Sequence, residues 1–299
     1  MTNKIDKSPD FGIEISFENN QNPSRIFKAL SELIESFQSF DDDLVKSISS
    51  DIKPVILLED LQKGSVKAWF KNAIEGIPDE GIKDLEWKKI VGGYLVRGKY
   101  ALIKFLDGKT EITNKQDIKS LEEDLFKLAK ETKVNKLAVY TPIPTSQLIG
   151  NIQKITTATQ GLNKSGDKLI YSASKEEKTE FNLQFNFSPE SIIDLMTKES
   201  LSSDQIMILK VKKPDYLGES KWELKYERSL IDAKITDQDW LFKFQNRQVN
   251  VRPGDSIKAN TRVTVKYDFN NEVIATLYDI YKVIEIIAAE TSNQIDLFE

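Results

Sequence analysis

Apolar and polar positions alternate from residue 11 to residue 17, with Phe11, Ile13, Ile15 and Phe17 on one side and Gly12, Glu14 and Ser16 on the other. A period of two predicts a half-buried strand. The spacing then changes to three and four: Ile26, Phe27, Leu30, Leu33, Ile34 and Phe37 make one stripe of a helix. Asn22 is expected as its N-cap, with Pro23 in the first turn. A second short helix is expected over 41–48, where Asp41-Asp42-Asp43 would set acids against a helix N-terminus. An apolar strand at 55–58 follows, and then a helix opening at Gly64-Ser65 and carrying Val66, Trp69, Phe70 and Ala73.

From 85 to 106 the apolar positions again fall at helical spacing, although Gly92-Gly93 argues against one unbroken helix. These glycines and Gly98 match no phosphate-loop spacing, and close helix packing is the expected reason for them. An amphipathic helix is predicted over 117–132, and another after Thr141-Pro142. Strands are predicted at 168–172 and 180–187, the second with Phe181, Leu183, Phe185 and Phe187 on one face. Ser188-Pro189 would cap a short helix to about residue 198. The polar run 199–204 reads as a domain boundary.

The last third changes character. Five strands are predicted, at 206–211, 222–226, 230–235, 257–267 and 273–286. Turn residues separate them: Pro214-Asp215 with Gly218, Arg252-Pro253-Gly254-Asp255, and Asn270-Asn271. A helical turn or two at 237–244, capped by Asp237, falls between the third and fourth strands. Five strands with a helix after the third is the order of an OB-like barrel, and an SH3-like barrel is the alternative. The expected fold class is therefore α+β: a mixed helix/sheet domain over 1–200, a five-stranded small β-barrel over 201–290, and a flexible tail at 291–299.

Composition narrows the chemistry. A length of 299 residues suits two cores, and 39% hydrophobic residues with 15 Phe, 9 Tyr and 4 Trp supply them. The chain has no Cys, which removes disulfides, thiolate metal sites and cysteine nucleophiles. It also has no His, which removes the Ser-His-Asp triad and the imidazole ligand. Carboxylates, Lys, Tyr and Ser/Thr are what remain, with Mg²⁺ the metal they would suit. The polar start of the chain has no apolar leader, and no apolar run approaches the roughly 18–20 residues that span a bilayer. A cytoplasmic location without membrane association is expected. The net charge is -5 but uneven: residues 205–290 hold 14 basic against 13 acidic residues, and the remainder 28 against 34. Any polyanion contact would favour the barrel.

The run Lys213-Pro214-Asp215, Gly218, Lys221-Trp222, Asp232 and Pro253-Gly254-Asp255 resembles the C-terminal small barrel of uncharacterised bacterial two-domain proteins. Pro23-Ser24-Arg25-Ile26-Phe27 and Gly64-Ser65 with Trp69 are similar to their N-terminal part. The resemblance implies a shared two-domain architecture over most of the chain and carries no activity with it.

Three groups of residues are candidates for function. The tail Gln294-Ile295-Asp296-Leu297-Phe298 resembles the bacterial sliding-clamp-binding peptide. Leu297 and Phe298 would be paired apolar anchors for a preformed pocket, with Ile295 beside them, and Gln294 would add an amide hydrogen bond. The alternative is that Ile295, Leu297 and Phe298 fold back onto the barrel as a terminal strand. The second group is Asp215 with Glu223 and Lys225. An Asp followed by an acid-x-Lys on a neighbouring strand can hold Mg²⁺ and orient water in a nuclease, although alternation on a solvated strand also accounts for it. The third is a basic face for nucleic acid: Lys258, Arg262 and Lys266 on the fourth strand and Lys221 and Lys225 on the second, with Trp222, Trp240 and Tyr267 as stacking candidates. A solvated charged face is the plainer alternative.

Taken together, these residues favour a non-enzymatic adaptor in DNA replication, repair or defence against foreign DNA, tethered to the sliding clamp. A Mg²⁺-dependent nuclease and a structural subunit of a larger assembly are the competing expectations.

Overall fold

A computed structural model describes residues 10–17, 22–62, 66–75, 86–136, 140–162, 166–218 and 220–289. The chain divides into two compact units, Met1–Met196 and Thr197–Glu299.

The first unit is built on a five-stranded antiparallel sheet. Strand β1 (Phe11–Ser16) lies at its centre, flanked by β3 (Val66–Glu75) and β4 (Lys168–Ser172). The edges are β2 (Lys53–Gln62) and β5 (Lys178–Glu180), giving the order β2-β3-β1-β4-β5. Register places Phe11 opposite Phe70, and Ile13 between Ala68 and Tyr171. One face of the sheet is thus apolar apart from Asn72 on β3. The rings of Phe11 and Phe70 stack at 5.2 Å, those of Phe11 and Tyr171 at 5.6 Å, and Phe37 of the first helix closes edge-on over Tyr171. Each such side chain removed from water contributes roughly 1.5–3 kcal/mol.

The helices of this unit are α1 (Ser24–Lys46), α2 (Glu86–Phe105), α3 (Lys115–Glu131), α4 (Thr145–Thr159) and α5 (Pro189–Met196). Asn114 caps α3 by accepting from the Gln116 amide at 2.8 Å, and Ser188 caps α5 by accepting from Ser191 at 3.1 Å. Helix α1 also manages the exposed edge of β2. The Gln38 carboxamide donates to the Pro54 carbonyl at 2.7 Å and accepts from the Ile56 amide at 2.9 Å, so a side chain occupies part of the hydrogen-bonding edge that another strand would take.

Several expectations are corrected here. Asn22 is not a cap; Pro23 holds the cap position, and Asn22, two residues before the helix, sits at a φ of 56° and accepts from the Ser24 hydroxyl. Residues 41–46 continue α1 instead of starting a new helix, and Asp41 is buried within it. The helix expected from Gly64-Ser65 is strand β3, and Gly64-Ser65 itself lies outside the described residues. Ala68, Phe70, Asn72 and Ile74 are its buried positions, a period of two. The strand expected at 180–187 is only the end of β5 followed by irregular chain, although Phe181, Phe185 and Phe187 are buried as a strand face would have them. Helix α2 is unbroken through Gly92-Gly93, and Gly98 alone of the three makes a close approach, against Leu44 of α1.

The second unit is a closed barrel of β6 (Glu199–Lys213), β7 (Trp222–Tyr226), β8 (Ser229–Ile235), β9 (Ser256–Tyr267) and β10 (Val273–Ile287). Residues 199–204, expected as the domain boundary, are the first part of β6, just past the break between the two units. The order is β10-β8-β7-β6-β9, closed by antiparallel pairing of β9 with β10; only the β8–β10 pair is parallel. With α6 (Gln238–Gln245) between the third and fourth strands, this is the OB arrangement. Met207, Leu209, Trp222, Leu224, Ile257 and Ile280 fill the interior. Asp237 ties the parts together: its carboxylate accepts from the Trp240 amide at 3.3 Å, capping α6, and from the Val283 amide of β10 at 3.0 Å. Among the described residues no helix is long and apolar enough to cross a membrane.

Candidate functional site

Exposed apolar side chains gather on the second unit. Among the described residues, twelve of the sixteen large hydrophobics that face solvent belong to it, and four to the first unit, which is about twice as long. Scattered single residues need no explanation, but a contiguous set does.

Part of this set is ordered by register. On β6, Met207 and Leu209 point inward, so Ile206 and Ile208 point out, and they are 63% and 54% exposed. They stand opposite Asn260 and Lys258 of β9, whose other neighbours on β10 are Lys282 and Glu285. Two irregularities in β10, between Ile280 and Lys282 and between Val283 and Glu285, leave Tyr281 and Ile284 as extra residues, both exposed. A bulge re-aims a side chain that regular pleating would point elsewhere. The result is two apolar rows, Ile206 with Ile208 and Tyr281 with Ile284, separated by the polar outer residues of β9. At one end Arg262 lies over the Tyr281 ring at 5.7 Å and makes a bidentate pair with Asp204 at 2.9 and 3.1 Å. That pairing raises the Arg262 pKa and lowers that of Asp204.

A second exposed feature is the loop between β6 and β7. Asp215 accepts from the Ser220 hydroxyl at 2.6 Å and from the amides of Leu217, Gly218 and Ser220 at 3.0–3.2 Å. The Ser220 hydroxyl foremost, and then the amides, hold its carboxyl down at about 2. Gln245 of α6 donates to the Gly218 carbonyl at 2.7 Å, and Tyr216 donates to the Val251 carbonyl at 3.1 Å while stacking on Phe244 at 4.9 Å. This bracing presents Leu217 at 97% exposure, beside a depression of 510 Å³ bordered by Tyr216, Phe244 and Arg247.

The sequence-based candidates fare differently. Asp215 is engaged in bracing its own loop, Glu223 is ion-paired with Lys212, and Lys225 stands opposite Lys210 instead of beside an acid. Among the described residues no three carboxylates converge where a metal could sit. Of the basic face, Lys258, Arg262 and Lys266 do share the outer side of β9, but Arg262 is neutralised by Asp204, and Lys266 lies at the far end of the strand opposite Ser200. Lys221 is exposed just before β7. The stacking candidates are drawn inward: Trp222 is buried, and Trp240 stacks on Phe244 at 5.6 Å. Tyr267 is half-buried at the end of β9. Gln294, Ile295, Leu297 and Phe298 lie outside the described residues.

Sequence reading missed Lys210. It lies on the outer side of β6, between Lys225 of β7 and the outer residues of β9, and this position is visible only once the strands are paired. The two bulge residues Tyr281 and Ile284 were missed for the same reason.

No protein-family model, curated protein or solved structure matches the chain.

Proposed function

We propose that the protein is a binding protein, an adaptor that holds a protein partner on the outer face of its barrel and reaches the DNA sliding clamp through Gln294, Ile295, Leu297 and Phe298. The observation that carries the first half is the pair of apolar rows formed by Ile206 and Ile208 on β6 and by Tyr281 and Ile284 on β10. These side chains sit on paired strands, so little order has to be gained on docking, and exposed aliphatic and aromatic groups on rigid elements are what interface anchors are made of. The second half rests on the tail pattern, in which two adjacent apolar residues and a glutamine match what a clamp pocket accepts. This reading places the protein in DNA replication, repair or defence against foreign DNA.

The test is direct binding to a purified bacterial sliding clamp. The intact protein is expected to bind with roughly micromolar affinity, and Leu297→Ala with Phe298→Ala to abolish it. Failure of the intact protein to bind at high clamp concentration ends the clamp reading. The barrel face is tested separately, by introducing charge with Ile206→Glu and Ile284→Glu. Loss of a co-purifying partner at unchanged melting temperature supports it, and retention of every partner rejects it.

A further inference from the structure

We infer that the barrel carries a second site, on its β6–β7 face, that binds the phosphate groups of single-stranded nucleic acid through Lys210 and Lys225. Lys210 and Lys225 are directly opposite each other in the β6–β7 ladder, and both are exposed. Among the described residues neither has a carboxylate within ion-pair distance, whereas the neighbouring Lys212 is neutralised by Glu223. Like charges placed opposite one another in a sheet are destabilising. An anion shared between them reverses the sign of that interaction.

The surroundings suit a phosphate-bearing chain. Lys210, Lys212, Lys225, Leu230, Pro253 and Gly254 line a depression of 290 Å³. Pro253-Gly254 is held against β6 because the Gly254 amide donates to the Val211 carbonyl at 2.8 Å, and Val211 donates to the Asp255 carbonyl at 2.7 Å. The wall opposite the ammonium groups is therefore fixed. The carboxylate in that turn, Asp255, accepts from the Ala289 and Arg252 amides at 2.9 and 2.8 Å, which lower its pKa and engage its two oxygens within the turn. Beyond Lys210 the cationic row continues diagonally to Lys258, which is paired with Ile208 two residues along. Three positive side chains thus cross three neighbouring strands, as a line of successive phosphates requires.

A single strand fits better than a duplex. Leu230 and Ile208, 56% and 54% exposed, flank the lysines. Against the phosphate wall of a duplex these aliphatic groups would gain nothing, but an unpaired strand presents sugar and base faces beside its phosphates. This site does not involve the clamp-binding tail, and it shares one residue, Ile208, with the apolar row of β6.

The experiment is fluorescence anisotropy of the full chain with labelled oligothymidylate across a salt series, with duplex DNA and inorganic polyphosphate as the other probes. Lys210→Gln with Lys225→Gln is expected to lower affinity at least about tenfold and to flatten the log–log salt slope by about 1.4, two phosphate contacts at roughly 0.7 each. Lys119→Gln with Lys127→Gln, the same charge change on the exposed side of α3, is expected to leave affinity within about twofold, as is Leu297→Ala with Phe298→Ala. An equal loss in the α3 control, no effect of the Lys210/Lys225 pair, or binding to duplex or polyphosphate as tight as to oligothymidylate would each overturn the inference. A melting curve for each variant separates loss of the site from loss of the fold.

Discussion

Lys99 reaches both carboxylate oxygens of Asp41, at 2.5 and 2.6 Å, with both side chains fully buried between α1 and α2. The ammonium also lies 4.8 Å from the Phe11 ring centroid and 5.9 Å from that of Phe37. Burial pushes Asp41 up to about 6 and lowers Lys99, the opposing charge offsetting each shift only in part. Removing one partner leaves the other charged and uncompensated in an apolar core. Asp41→Asn is therefore expected to cost about 3–5 kcal/mol, and Asp41→Leu combined with Lys99→Met to recover most of it or to exceed the native stability. Urea unfolding of the three proteins checks this. A double variant no more stable than Asp41→Asn would show that the pair itself holds the helices together.

Two glycines of α2 make opposite predictions. Gly93 has no described atom within 4 Å of where a Cβ would stand, so Gly93→Ala should raise stability by about 0.5–1 kcal/mol through helix propensity alone. At Gly98 the added carbon would lie 2.7 Å from Cδ1 of Leu44, a fully buried side chain. Gly98→Ala should instead destabilise by about 1–3 kcal/mol. Thermal unfolding of both variants tests whether the close approach of α1 and α2 is as tight as it stands.

Where one element's own periodicity decides its structure, the sequence was sufficient. The interior positions of the barrel strands, Leu209, Trp222, Leu224, Ile257 and Ile280, alternate with outward residues, and Asp237 has the spacing of a helix cap. Strand β3 was hidden because Val66, Trp69, Phe70 and Ala73 also satisfy helical spacing, and a polar Asn72 occupies an inward position that alternation would fill with an apolar residue. Asp41 was read as a helix-start acid because its true partner lies 58 positions away. The candidate surfaces depend on pairing to a still greater degree. Nothing within β6 alone says that Lys210 meets Lys225, and nothing within β10 says where its two bulges fall.

The loop that presents Leu217 should answer to acid in a defined window. Asp215 is depressed to about 2 from an ordinary value of 3.8, so its contribution is fully present above about pH 4 and is lost as pH falls through 2. The amide signals of Leu217, Gly218 and Ser220 should shift together in an NMR titration with a midpoint near 2. A midpoint near 4 would mean that the carboxylate is not held by those donors. Asp215→Ala should release the loop at neutral pH and raise the exchange rate of the same three amides, with the barrel strands unchanged.

The opposed lysines of the β6–β7 ladder set a stability gain against a binding loss. Lys210→Gln removes a like-charge pair, so the free protein should become more stable by about 0.2–1 kcal/mol. The gain should shrink as added salt brings the screening length to about 3 Å near 1 M. The same substitution should weaken oligothymidylate binding, because the ammonium group that repels Lys225 in the free protein is one of the two that meet the phosphate. Melting with and without oligonucleotide reads both effects at once: ligand should raise the melting temperature of the native chain and do so much less for the variant, even though the variant starts higher. A variant that melts higher alone and gains as much from ligand as the native chain would show that the repulsion is real and that the phosphate is bound elsewhere.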